Sequence, residues 1–167
     1  MELSIDEINL LKKAYGTIID PHHKYRPESE KELTDFENKF NLIPADYRYL
    51  LKEFGGCHFV DPWVYTLEEL TWAYPGFIAE YSDEEEINIS EDNVFPIGGL
   101  GDGSTVCIIK KTGKIAILPH DSYVETIDDL EIIASNFKEF IFDLAEQGIA
   151  CDEAINNAVY WDYLKND

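Results

Sequence analysis

From residue 53 to residue 109 the sequence contains no lysine and no arginine, against twelve aspartates and glutamates. The whole chain of 167 residues carries 13 Lys and Arg against 34 Asp and Glu, a formal charge of −21. A surface so short of positive charge repels phosphate backbones and anionic membranes, which argues against nucleic-acid and membrane binding. It attracts basic partners instead. Cysteine is scarce as well. Cys57, Cys107 and Cys151 cannot all pair within one chain and none forms a CxxC, so the thiols read as reduced and the protein as cytoplasmic. The opening residues, Met1-Glu2-Leu3-Ser4-Ile5-Asp6-Glu7, are acidic where a secretory signal would be basic. No apolar run approaches the roughly 20 residues needed to span a bilayer. Internal repeats and low-complexity linkers are also missing.

What is present suffices for a packed core. Hydrophobic residues make up 45% and aromatics 13%, which separates the chain from disordered acidic sequences. The length predicts one domain over residues 1–167. Three pairs, Ser4 with Glu7, Ser29 with Glu32 and Thr66 with Glu69, have the spacing of capping boxes, in which each side chain satisfies the other residue's orphan N–H. The first precedes a stripe of Ile8, Leu11, Tyr15 and Ile18, and the second a stripe of Leu33, Phe36 and Phe40. The third opens a short helix that Pro75-Gly76 is expected to stop. Another helix starts at Pro44, buries Tyr47, Leu50, Leu51 and Phe54, and ends at Gly55-Gly56. Short apolar runs predict strands at Cys57–Val60, Trp63–Tyr65 and Val94–Ile97, and a hairpin over Thr105–Ile109 and Lys114–Leu118. Phe137, Phe140, Ile141 and Leu144 predict a helix capped by Ser135 and stopped by Gly148, with a weaker helical pattern at Ile155, Val159 and Tyr163 beyond it. Helices at both ends around short strands give an α+β domain, with a mixed, largely antiparallel sheet flanked by N- and C-terminal helices.

Candidate chemistry is thin. The run Gly98-Gly99-Leu100-Gly101-Asp102-Gly103 looks like a phosphate loop, but β-branched residues follow it where a helix should begin, and it holds no Lys. It reads better as a turn whose glycines take positive φ and whose Asp102 accepts from backbone donors. Cys57, His58 and Asp61 do not have zinc-site spacing, so no metal and no cofactor is expected. A Cys57–His120 nucleophile pair stays open at this level, with no local sign of an orienting group or oxyanion site. Cys107, inside an apolar strand, reads as core.

Three segments carry a family likeness. Leu42 to Gly56 (LIPADYRYLLKEFGG) resembles the Leu-Pro-x-x-Tyr helix and Gly-Gly stop of the SUKH superfamily. Val94 to Ile115 (VFPIGGLGDGSTVCIIKKTGKI) resembles its second block, a strand ending in Pro-Ile-Gly, a Gly-Asp-Gly turn and a hairpin with a Thr-Gly turn. Ile133 to Ile141 (IASNFKEFI) resembles its closing helix. The likeness covers residues 28–146, leaving 1–27 and 149–167 as helical additions. It makes Pro44, Tyr47, Gly55, Gly56, Pro96, Ile97, Gly98, Asp102 and Gly103 motif residues with structural roles. One departure is Phe54, where the family often has Asn. The resemblance implies a non-enzymatic role. Many bacterial members are immunity proteins that neutralise a toxin, and others are regulatory interaction modules.

Charge suggests where such a partner would dock. Glu80 to Asp92 holds seven carboxylates, within a stretch that lacks any base. A patch of that kind has an unfavourable self-energy that a basic protein relieves. The expected partner is a basic, nuclease-type toxin, with an endogenous regulatory partner as the alternative. The candidate contacts are Asp61, Glu68, Glu69, Glu80, Asp83, Glu84, Glu85, Glu86, Glu91 and Asp92, with Trp63 and Trp72 as aromatic anchors.

Overall fold

The computed structural model describes residues 1–19, 26–82, 89–121 and 124–165. Three helices come first: α1 (Ile5–Thr17), α2 (Glu30–Lys39) and α3 (Ala45–Glu53). The first two start on the capping boxes expected of them, with Ser4 and Ser29 each accepting an N–H and Glu7 and Glu32 each returning the bond. Pro44 stands immediately before α3, and Gly55 ends that helix at φ +92°, its N–H donating to the carbonyls of Leu50 and Leu51. L side chains rarely adopt that φ, which is why the stop is a glycine.

Five strands follow in the sheet order β1-β2-β3-β4-β5, namely Trp63–Val64, Val94–Gly99, Thr105–Ile109, Ile115–Leu118 and Glu131–Ala134. Each neighbouring pair is antiparallel, so the α+β architecture holds while the sheet has no parallel pair among the described residues. The register of β2 on β3 shifts between Pro96 and Gly98, where proline has no N–H to offer the ladder. Side chains alternate between two cores. Phe95, Ile97, Val106, Ile108 and Ile115 face the larger one with α1 and α3, and Val94, Cys107, Ile109, Ala116 and Leu118 face a smaller one. Burial on both faces explains why these strands read as continuous apolar runs. Tyr47 anchors the larger core: it is fully buried between Phe95 and Phe137 and donates its hydroxyl to the Tyr65 carbonyl at 2.8 Å.

Two expected helix stops fail. α4 runs from Leu67 to Ser82 straight through Pro75 and Gly76. Both residues are exposed, and beyond them Phe77 is buried in the smaller core with Ile78 and Tyr81 packed against it. That burial offsets the lost backbone bond. α4 therefore passes from one core to the other, since Leu67, Leu70 and Tyr74 belong to the larger. α5 runs from Phe137 to Lys165 through Gly148. A Cβ at Gly148 would stand 2.8 Å from the Cβ of Phe59, so this glycine serves close packing rather than capping. The oxygen at the helix start comes from Asn136, which accepts the Glu139 N–H at 2.9 Å, and not from Ser135. α1 packs along α5, joining the two ends of the chain. Residues Cys57–Val60 form no strand; Cys57 makes an isolated bridge with Val64 instead. β5 and the 3-10 turn Ile127–Asp129 had no clear sequence signal.

Candidate functional site

The glycine run divides into two roles. Gly103 alone among Gly98, Gly99, Gly101 and Gly103 has positive φ, at +92°, and the expectation of positive φ throughout the run is corrected accordingly. Its N–H closes the turn on the Leu100 carbonyl, and Asp102 accepts the Ser104 N–H at 2.8 Å. Those bonds from Ser104 hold the Asp102 carboxyl below its ordinary value. Gly98 and Gly99 are strand residues against Trp63, whose main chain and indole fill the space a side chain would need. The run is thus a turn and a packing contact.

Cys57 is wholly buried, and desolvation pushes its thiol far up, so it presents no accessible thiolate. His120 lies exposed near Asp121. The Cys57–His120 pairing is therefore set aside. Burial likewise raises the Cys107 thiol to about 12. No group of three or more His, Cys, Asp or Glu among the described residues is arranged to hold a metal ion.

The candidate contact residues fall into three places and one undescribed segment. Asp61, Trp63 and Glu69 are engaged in building the region beside the glycine stop. Asp61 accepts the Gly101 N–H at 3.1 Å. Trp63 packs against His58 with the rings tilted at 33° and 5.7 Å between their centres. Glu69 closes the Thr66 capping box and meets His58 Nε2 at 2.9 Å. Glu80 is exposed near the end of α4, and Glu91 and Asp92 line a pocket of about 190 Å³ with Ile78 and Tyr81. This patch does have a base: Lys110 Nζ donates to the Glu91 carbonyl at 2.6 Å, and desolvation lowers the Lys110 pKa. Asp83, Glu84, Glu85 and Glu86 lie outside the described residues.

Glu68 and Trp72 form the third place, one turn apart on α4. Trp72 is 80% exposed. Both line a groove of about 440 Å³ between α4 and α2, whose apolar floor is Phe36, Phe40 and Leu67. The helices meet below it, where Phe36 and Phe40 pack on Tyr74 at 5.7 and 5.6 Å. Glu28, Glu32 and Asp35 add three carboxylates to Glu68, against Arg26 and Lys39. Sequence reasoning missed the α2 side. The stretch Glu28–Glu37 holds five acids and one base, but bases elsewhere in the first 52 residues nearly cancel that excess, eight bases against ten acids over residues 1–52.

Glu28 records the field in this groove. Burial raises its carboxyl pKa first, and the charge of Glu32 adds to that; Arg26 and the Leu67 N–H pull the other way, and Glu68 adds a smaller upward push. A carboxyl whose pKa is higher folded than unfolded weakens the fold once ionised, and the penalty disappears as pH falls through the two values. Glu28→Gln keeps an oxygen for the Leu67 N–H and removes the charge. The variant is expected to melt above the native chain at pH 7, with the gap closing toward pH 4. Thermal melts of both proteins across that range check it, and a lower melting point for the variant at pH 7 contradicts the account.

The profile of the SMI1 / KNR4 family (SUKH-1) matches residues 27–143, from the approach to α2 into the first half of α5. A relative in Bacillus subtilis (strain 168), the SPbeta prophage-derived uncharacterized protein YokK, is 26% identical over 161 residues, covering 79% of this chain and 82% of its own.

Proposed function

Because the chain belongs to the SMI1/KNR4 (SUKH-1) family, we propose that it is an immunity protein that binds and neutralises a basic, nuclease-type toxin in the cytoplasm. The observation that carries this reading is the charge imbalance, −21 overall and −12 over residues 53–109. A nuclease must present positive charge to its own substrate, so an acidic protein can occupy that surface and exclude nucleic acid. Inhibition comes from occlusion, with no bond made or broken. Glu80, Glu91 and Asp92 supply part of the acidic face, and Asp83 to Glu86 extend it in sequence. None of the described helices is long and apolar enough to cross a membrane.

Speed and strength have separate origins in this scheme. Exposed ion pairs contribute only about 0.2–1 kcal/mol each, so charge accelerates encounter while a desolvated centre must hold the complex. The reading is tested by co-expressing the chain with the toxin-like product of the neighbouring gene. Cells carrying both are expected to grow while cells with the toxin alone die. Equal death in both cultures contradicts immunity and favours an intracellular regulatory module acting on an endogenous partner.

A further inference from the structure

Trp72 stands out against the rest of its helix. Leu67, Leu70, Tyr74 and Phe77 of α4 are all buried, yet the indole, among the largest apolar groups in the chain, is 80% exposed over a groove with an apolar floor. The groove, at about 440 Å³, is large enough to seat side chains of a partner. Its rim is charged in one direction. Four carboxylates face two bases, and one of the two, Lys39, lies over the Phe40 ring at 4.8 Å. We propose that the groove between α2 and α4 is the docking site for a basic segment of a protein partner, with Trp72 as its anchor and Glu28, Glu32, Asp35 and Glu68 as its counter-charges.

Three features select that occupant. An acidic segment would meet like charge at the rim. A purely apolar one would desolvate Glu28 further with only Arg26 to oppose it, and this carboxyl is already pushed up by burial and by its acidic neighbours. A Lys- or Arg-bearing segment removes that penalty while its apolar side chains cover Trp72, and Trp is enriched among residues that dominate interface energetics. The site differs from the acidic segment Glu80 to Asp92, which steers at a distance; the groove supplies the desolvated centre. The identity of the partner as a toxin rests on the immunity reading, but the chemistry of the occupant does not.

The test titrates the full chain with two synthetic peptides, a Lys/Leu amphipathic peptide and its Glu/Leu counterpart, following tryptophan fluorescence and calorimetry. The Lys/Leu peptide is expected to bind, and the Glu/Leu peptide is not. Trp72→Ala and, separately, Glu68→Lys should each weaken Lys/Leu binding by about tenfold or more. Both positions are exposed, and unchanged circular dichroism and melting points establish that the variants fold. Equal binding of both peptides, no binding of either, or undiminished Lys/Leu binding by the two variants overturns the proposal. Toxin co-expression separates it from the immunity reading. Full protection by Trp72→Ala with undiminished peptide binding removes the groove and keeps immunity. Groove-dependent peptide binding without any protection keeps the groove and removes immunity.

Discussion

Gly98→Ala is expected to detach the sheet edge and cost roughly 3 kcal/mol or more, above the usual range for an overpacked site. A Cβ at Gly98 would stand 2.1 Å from the Trp63 carbonyl oxygen and 3.1 Å from its carbon. Both obstacles are main chain, so no rotamer change relieves them. The contact follows from register: Gly98 pairs with Val64 and Gly99 with Trp63 in a strand only two residues long. Relief requires β1 to move, which breaks the bond from the Tyr65 N–H to the Ile97 carbonyl at 2.9 Å and disturbs the Thr66 cap of α4. The loss is a large share of the 5–15 kcal/mol that holds a typical domain together. Gly76→Ala is the matched control. It lies exposed inside α4 with nothing within 4 Å of an added Cβ, and alanine there should stabilise by about 0.5–1 kcal/mol. Urea unfolding reads both as shifts of the midpoint at unchanged slope. A native midpoint for Gly98→Ala contradicts the packing role assigned to this glycine.

The features that sequence exposed were those whose cause is local. A capping box needs two side chains three residues apart, so the starts of α1, α2 and α4 could be read from Ser4, Ser29 and Thr66. The β3–β4 hairpin announced itself through Lys111-Thr112-Gly113, and Gly113 does take positive φ. Pro75 and Gly148 misled for one reason. Their local preference is to end a helix, and contacts distant in sequence overrule it, with Phe77 in the smaller core and Phe59 against Gly148. β5 stayed hidden because Glu131, Ile132, Ile133 and Ala134 do not alternate in polarity, and Ile132 is left exposed. The same limit applies to the candidate site. Trp72 and Glu68 were visible as residue types, but the groove exists only because Phe36 and Phe40 bring α2 onto Tyr74. Spacing also could not show that Asp61 and Glu69 are occupied by internal bonds, to the Gly101 N–H and to Thr66 and His58.

The largest effect on function is expected in the rate of association. A field of −21 should draw a basic partner in over distances set by the Debye length, about 8 Å at physiological salt and shorter above it. Reversing Glu84, Glu85 and Glu86 to Lys changes the local charge by six units, which should slow encounter at low salt by roughly ten- to a hundredfold. Dissociation should change little, because exposed charges set approach and the desolvated centre sets residence. Stopped-flow mixing of the native chain and this variant with the toxin of the neighbouring gene, over a series of salt concentrations, puts the claim to its most direct trial. The native rate should fall steeply as salt rises, and the variant should start slower and respond less. Native and variant rates that coincide and stay flat across the series would show that the negative surface takes no part in recognition.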